Sequence, residues 1–508
     1  MNCKDTTFNT NESPKVAKFA IIINDGKPFG IRFNTADMSK SYNSTQTASG
    51  NAPRQSDPTT LGTLPIGKLL VQYSIPAIIA SVAVSVYNIV DSIFIGRGVG
   101  PMAIAGLAIT LPLMNLVMAF CTLIAAGGAT ISSIFLGQKN VGRATDVVNN
   151  VMTFCLIHSI VFGGVTLYFL DPILRFFGAT PESIIYAKEF MEVILYATPV
   201  SYVFIGLNNL MRATGYPRKA MISALLSVVV NVVLAPIFIY TFHWGIAGAA
   251  WATNCGQFVA FIWVLSHFLS KKSYVHFNPH CSWLNVTILK KIYAIGLSPF
   301  LMNVCACIVV MFLNKALLDY GGSDGNLAIG AFGIMNRTTM FFVMVVFGVT
   351  QGMQPILGFN FGAGQWERVK QTLYKGIWIG VAITTIGCAL TEGIPDYLSH
   401  LFTVDESLIK IAREGFRIYF ICYPVVGAQI VIQNFFQSIG KPQLSIFLSL
   451  TRQLLFLLPF LFILPRHFGI PGVWASMAAS DMLAFIVAFI TMMIMMRRLG
   501  RRYSTQTR

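Results

Sequence analysis

A carboxylate inside a long apolar segment is the most informative side chain in this sequence. Asp91 lies within residues 72–100, a stretch long enough to cross a bilayer. An ionisable group at that depth costs roughly 2.5 to 3.5 kcal/mol on insertion scales, so it must face a partner or a watery cavity. Such carboxylates commonly mark ion or substrate pathways, which makes Asp91 a candidate ion-coupling group. A structural ion pair with a neighbouring helix is the alternative.

The same segment carries a polar stripe at helical spacing, because residues three and four apart share one face of an α-helix. With Asp91 beside it, the stripe predicts the wall of a polar cavity. Its members are Ser81, Ser85, Asn88 and Ser92. Pro76 lies about one turn into the helix and removes a backbone donor, so it predicts a bend and is a candidate hinge.

The composition places these residues in an all-α polytopic membrane protein. Of the 508 residues, 55% are hydrophobic and only 11% are charged. Twelve apolar runs can each supply a crossing helix. They lie near residues 69–95, 103–135, 146–170, 186–212, 219–242, 245–268, 288–318, 327–353, 370–394, 411–438, 443–466 and 470–496.

The net charge of +16 is a topology signal and not a sign of a nucleic-acid partner. The basic residues fall in alternate gaps between the spans, and the positive-inside rule makes those gaps cytoplasmic. Both termini are then cytoplasmic, in a plasma (inner) membrane. The set comprises Lys139, Arg143, Arg212, Arg218, Lys219, Lys271, Lys272, Lys290, Lys291, Arg368, Lys370 and Lys375.

Neither the cysteines nor the glycines predict a cofactor. No pair among the nine cysteines has zinc-ligand or redox spacing, so we expect no metal site. No Walker-type loop appears, so ATP is not the expected driver. No constellation of residues points to an enzyme.

Landmarks recur at an offset of about 225 residues and predict a duplicated six-helix unit. Because six crossings is an even number, the halves are parallel repeats around a V-shaped cleft, which is transporter architecture. The matching pairs are Gly137 with Gly362, Arg143 with Arg368, Gly215 with Gly440, and Gly245 with Gly469.

The repeat divides the chain into five parts. We expect a disordered cytoplasmic tail (1–60), an N-lobe (61–275), an inter-lobe cytoplasmic loop (276–287), a C-lobe (288–497) and a basic cytoplasmic tail (498–508). The tail composition leaves open whether translation starts at Met1 or Met38.

One motif carries a family resemblance. The stretch containing Gln354, Pro355, Asn360 and Gly362, together with residues 90–92, resembles the multidrug and toxic compound extrusion (MATE) family. The resemblance covers residues 61–496 and implies an antiporter that exports cationic drugs or metabolites in exchange for H+ or Na+. It implies no other cofactor, and we expect a monomer in the lipid bilayer. A flippase for lipid-linked saccharides, of the same superfamily, is the alternative.

The resemblance also assigns residues to an N-lobe site. It makes Asp91 the coupling carboxylate and places Asn231, Thr253 and Asn208 or Asn209 around the same cavity. Ala235 stands where the family commonly has a second carboxylate, so the choice of ion and the stoichiometry stay open.

Two further charges lie in the C-lobe spans. Arg337 and Asp481 could form an ion pair or line the cleft, with Arg452 as the alternative partner of Asp481. The seventh span has Asn303 and no interior acid, and Glu414 lies near the entrance of the tenth. A C-lobe ion site is therefore not expected.

Overall fold

The computed structural model describes residues 58–270, 273–279 and 282–504, and in these ranges the regular structure is helical throughout. The π-helical segments Ile237–Thr241 and Thr451–Leu457 follow α8 and α16. The α-helices are α1 (Thr60–Thr63), α2 (Ile66–Gly98), α3 (Pro101–Gly137), α4 (Val141–Tyr168), α5 (Leu170–Phe176), α6 (Ser183–Tyr196), α7 (Thr198–Ala213), α8 (Pro217–Pro236), α9 (Gly245–Leu269), α10 (Val286–Gly321), α11 (Gly325–Gly362), α12 (Trp366–Gly393), α13 (Pro395–His400), α14 (Glu406–Tyr419), α15 (Tyr423–Ser438), α16 (Pro442–Leu450) and α17 (Leu458–Ser504).

The described helices make twelve crossings, as the sequence predicts. Nine stretches among the described residues are long and apolar enough to span a membrane, and two of these are double. The double stretches are divided at Gly322 and Gly469, whose φ values are +54° and +60°. The pair α6 and α7, bent by 57°, supplies one further span.

Sequence chemistry explains where several helices begin. Asn140, Asn285 and Asp405 cap α4, α10 and α14, because their side-chain oxygens accept hydrogen bonds from free backbone N–H groups. Pro217 and Pro442 occupy the first position of α8 and α16, where a missing N–H costs nothing.

The backbone repeats along with the sequence. Residues in the left-handed region of φ recur at offsets of 225 or 224 residues, because equivalent turns need equivalent backbone geometry. The pairs are Lys139 with Gly364, Gly215 with Gly440, and Gly245 with Gly469. Helices α7 and α15 also start 225 residues apart, at Thr198 and Tyr423. The duplicated unit is therefore confirmed.

The domain boundaries stay predictions, and the described ends refine them. Residues 1–57 of the expected N-terminal tail lie outside the described residues, while Thr60 already belongs to α1. Likewise α17 continues to Ser504, so the basic C-terminal segment begins as helix and its last residues, 505–508, lie outside the described part.

The two lobes meet along a seam made by α2 and α3 on one side and α10 and α11 on the other. Glycines let the backbones touch there. A Cβ atom on Gly352 would lie 2.6 Å from Cα of Ser74, and one on Gly348 would lie 2.7 Å from Cα of Ile78. The seam is thus held by close packing between α2 and α11.

The seam occupies one half of the bundle. Its contacts run from Leu61 with Asn360 near the loops to Phe120 with Phe300, whose ring centroids are 4.8 Å apart. This is the half that holds the turns at 138–140 and 363–365, and we call it the basic end. The lobes therefore separate toward the opposite end, which leaves the V-shaped cleft that the repeat predicts.

Candidate ion and substrate site

Asp91 lies in the half of α2 that is away from the seam, where α2 packs on α8 and its π-helical extension. The hydroxyl of Tyr240 donates to the carbonyl of Phe94 at 3.3 Å and fixes this contact. Asp91 is 8% exposed, and its Oδ1 has no hydrogen-bond partner. No ion pair among the described residues includes it. A buried, unpaired carboxylate of this kind is costly as an anion.

The polar stripe of α2 does not share the burial of Asp91. The hydroxyls of Ser85 and Ser92 donate to the carbonyls of Ser81 and Asn88, at 3.1 and 2.9 Å. Asn88 and Ser92 are exposed, whereas Asp91 faces inward together with the fully buried Ile95. Asp91 is therefore held inside the lobe, and the stripe lies on the open side of the helix.

Asn231 and Thr253 form a buried contact of their own. The amide of Asn231 donates to Oγ1 of Thr253 at 2.9 Å, and the Thr253 hydroxyl donates to the Ala249 carbonyl at 3.2 Å. This contact joins α8 to α9. Gly98 of α2 packs directly against Ile239, in the π-helical extension of the parallel neighbour α8, so these two residues are at the same level. Asp91 is seven residues before Gly98 and is therefore level with residue 232, next to Asn231.

Asn208 and Asn209 lie near the basic end of α7, and neither lies beside Asp91. Asn208 donates to the Ser223 hydroxyl at 2.5 Å and thereby joins α7 to α8. Asn209 donates to the Ile205 carbonyl of its own helix at 2.9 Å. On the same comparison of levels, Asn208 is about 14 Å from Asp91 along α8. The expectation that these amides surround the Asp91 cavity is not met in this conformation.

The C-lobe charges pair in the alternative way. Asp481 accepts hydrogen bonds from Nε and Nη2 of Arg452 at 2.6 and 3.3 Å. Arg337 is exposed on α11, with its guanidinium carbon 6.0 Å from the ring centroid of Phe402. An Arg337–Asp481 pair is thus wrong for this structure, since Arg337 faces away from the centre of the lobe.

The motif residues form a clamp between the lobes. Gln354 donates to the Thr130 hydroxyl of α3 at 2.7 Å, and Pro355 is buried beside it in α11. Asn360 donates to the Leu61 carbonyl at 3.0 Å. Gly362 contacts the backbone of Ile134. The motif therefore closes the basic end of the cleft.

Two arginines complete that closure. Arg368 donates to Oδ1 of Asn360 at 2.8 Å and to the carbonyls of Leu61 and Leu64 at 3.0 and 2.6 Å. Arg212 of the N-lobe donates to the side-chain oxygen of Gln351 in α11. In the sequence both arginines resemble ordinary cytoplasmic charges, and no local signal distinguishes them.

Pro76 lies within an unbroken α2 between the two seam contacts at Ser74 and Ile78. The hydroxyl of Ser74 also donates to the Val349 carbonyl at 3.3 Å. The candidate hinge thus sits where α2 leaves the seam and continues toward Asp91.

Twelve crossings in two repeated lobes, closed at one end and with a buried unpaired carboxylate in the other half, define a multi-pass membrane transporter. The MatE family model matches residues 76–237 and 294–463, one stretch in each lobe. The chain belongs to the MatE family.

Curated relatives and solved structures agree with this assignment. The multidrug export protein MepA of Staphylococcus haemolyticus is 27% identical over 427 residues, covering 84% of this chain and 93% of that protein. MepA of Staphylococcus aureus is 26% identical over 440 residues, covering 86% and 95%.

Among solved structures, a MOP superfamily transporter from Pyrococcus furiosus is similar with a TM-score of 0.83 and 25% identity, covering 88% of this chain and 100% of that one. An outward-facing MATE family transporter is similar in fold with a TM-score of 0.82 and 24% identity, covering 88% and 99%.

Proposed function

We propose that this protein is a secondary multidrug antiporter that exports cationic, amphipathic compounds in exchange for H+ or Na+. The observation that carries the proposal is the buried Asp91 carboxylate with no partner at Oδ1. A proton, a sodium ion or a cationic substrate would each neutralise it, so their binding is competitive. Competition for one site is the simplest basis of exchange. The multidrug export named for the two MepA relatives supports the direction of transport.

The geometry around Pro76 supports a conformational step. Seam contacts hold α2 on either side of Pro76, and Asp91 lies about four turns further along the free part of the helix. When the cleft is open, neutralising Asp91 removes the attraction for the cation. The part of α2 beyond the seam can then move about Pro76. The substrate leaves, and the lobes then rock toward the other side.

The energetics limit what one carboxylate can achieve. One charge moving through 100 mV gains about 2.3 kcal/mol, and a tenfold ion gradient adds about 1.4 kcal/mol. Exchange of one cation for one cation cancels the voltage and leaves the ion gradient alone. Steeper export needs a second ion, and Ala235 supplies no carboxylate for it.

The charge pattern supports a plasma-membrane orientation with the basic end in the cytoplasm and both termini inside. In that orientation the cleft of this conformation opens to the outside. We propose that the transporter works as a monomer, with one cleft for each chain.

A flippase for lipid-linked saccharides needs several free cations in the cleft to bind pyrophosphate. Of the arginines that would serve, Arg212 is bound to Gln351, Arg337 lies on an exposed face, and Arg452 already shares its charge with Asp481, so together they do not supply several free cations. This arrangement favours the antiporter.

Efflux from proteoliposomes with imposed H+ or Na+ gradients tests the proposal. The native chain should export a fluorescent organic cation when one of the two ion gradients is imposed. Asp91→Asn should export it under neither gradient. Asp171→Asn is the matched control, because Asp171 pairs with Lys188 at the exposed surface of the same lobe. Equal flux in Asp91→Asn and the native chain would refute the coupling role. Absence of cation transport by the native chain would instead favour the flippase.

A further inference from the structure

The Arg452–Asp481 pair lies at the centre of the C-lobe. Arg452 is the second residue of the π-helical segment of the eleventh crossing, and Asp481 belongs to the twelfth. Tyr419 of α14 is a neighbour of the pair. Tyr423 of α15 donates to the Thr339 carbonyl of α11 at 3.0 Å. The pair therefore lies near residues of the eighth and tenth crossings.

The pair breaks the internal symmetry of the protein. At the offset of 225 residues Arg452 corresponds to Ser227, and at the offset of 224 that relates Gly469 to Gly245, Asp481 corresponds to Gln257. In the N-lobe the corresponding Ser227 and Gln257 carry no charge, and Gly256 lies against the Ser227 carbonyl. The equivalent interface of the C-lobe instead contains two charges and a π-helical segment, a distortion that occurs frequently at functional sites.

The ion pair does not use all of the guanidinium. Arginine carries five N–H donors. Asp481 accepts from two of them, Nε and Nη2, which leaves three for other groups. The Asp481 side chain is 5% exposed, whereas 27% of the Arg452 side chain is exposed. The carboxylate is thus enclosed, while part of the cation's surface stays exposed.

We infer that Arg452 is a second substrate subsite, which binds a carboxylate or a similar anionic group on the transported compound. The inference rests on the proposed export function and extends it from cations to zwitterions. Asp481 is a positioning residue, because its two hydrogen bonds fix the plane of the guanidinium. A compound with both charges can then use Asp91 in the N-lobe and Arg452 in the C-lobe.

Asp481 also competes with the substrate. A carboxylate that approaches Arg452 meets the field of Asp481, and removing that negative charge should strengthen binding of the anionic group. Substitutions that remove the charge of Arg452 or of Asp481 should therefore change the binding of the anionic group in opposite directions. A purely structural ion pair predicts parallel losses, because either single change leaves one buried charge unpaired.

Two rhodamine dyes test the subsite, one with a free carboxylate and the other its methyl ester. The ratio of their kcat/KM values in proteoliposomes, carboxylate over ester, measures recognition of the anionic group. Arg452→Gln should lower this ratio by about tenfold or more, as expected for loss of charged hydrogen bonds. The ratio for Arg452→Lys should lie between those of the native chain and Arg452→Gln, because lysine keeps the charge and loses the planar guanidinium. Asp481→Asn should raise the ratio.

The double variant Arg452→Gln/Asp481→Asn guards against misfolding, since it leaves no unpaired charge in the lobe. It should show the low ratio of Arg452→Gln. Equal ratios in the native chain and the double variant, or parallel changes in the two single variants, would overturn the inference. Ester flux in the native chain reports on the proposed function separately. Fluorescence anisotropy of both dyes on the purified variants measures the subsite without any gradient.

Discussion

The guanidinium of Arg212 and the side-chain oxygen of Gln351 form a hydrogen bond across the seam between the lobes. Arg212 is 8% exposed, and its other partner is Oδ1 of Asn208 at 3.4 Å. The bond can exist only while the basic end is closed. It is therefore a contact of the conformation seen here and must break for the cleft to change sides.

Gln351→Ala should shift the protein toward opening at the basic end. A hydrogen bond to a charged group contributes about 1.5 to 3 kcal/mol, so the closed population should fall by roughly 10- to 150-fold relative to the open one. Distances between spin labels at positions 139 and 370, measured by double electron–electron resonance, report this change. Asn209→Ala is the control, because Asn209 donates only within its own helix. An unchanged distance distribution in Gln351→Ala would contradict the assignment.

Gly352→Ala should also open the seam, by steric means. Its new Cβ would lie 2.6 Å from Cα of Ser74, a backbone atom that cannot move aside without moving α2. Transport should fall severalfold, and the same spin distances should lengthen. Gly333→Ala, in the same helix with nothing within 4 Å of its Cβ, should transport normally. If both variants behave alike, helix propensity and not the seam is responsible.

Arg368→Lys should release α1 from the clamp. Lysine cannot reproduce the guanidinium bonds to the carbonyls of Leu61 and Leu64 together with the bond to Asn360. Amide hydrogen exchange in residues 61–64 should become faster. Lys370→Gln provides the comparison, since Lys370 pairs with Glu367 at the surface and should leave the exchange unaltered. Slow exchange in Arg368→Lys would show that α1 is held by packing alone.

Thr253→Val tests whether the Asn231–Thr253 contact is structural. The substitution keeps the shape and leaves the buried Asn231 amide without its acceptor, at a cost of about 1 to 3 kcal/mol in stability. The thermal midpoint of the detergent-solubilised protein should fall, while Thr253→Ser, which keeps the hydroxyl, should stay near the native value. The ion that drives efflux should be the same in all three proteins. A change of coupling ion in Thr253→Val would place this contact in the ion site.

The local pattern of the sequence was sufficient for the architecture. The twelve apolar runs reflect the length that a helix needs to cross a bilayer, and the alternation of basic gaps reflects the cost of moving charge through it. The repeat is visible from the sequence as well, because equivalent residues lie about 225 positions apart. The sequence also predicts the importance of Asp91, because placing an ionisable residue in the hydrocarbon costs free energy whichever helices pack beside it. The motif with Gln354 and Asn360 was also recognised, although its role was not.

Partners, by contrast, were decided by tertiary packing. Whether Asp481 pairs with Arg337 or Arg452 depends on which faces of three crossings meet. The seam arginines Arg212 and Arg368 reach partners that are distant in the chain, such as Gln351 and Leu61. Hydrogen bonds and ion pairs are short-ranged and directional, so the order of residues along a helix does not specify them. The sequence determined which residues must lie in the membrane, and the packing of the two lobes decided which of them meet.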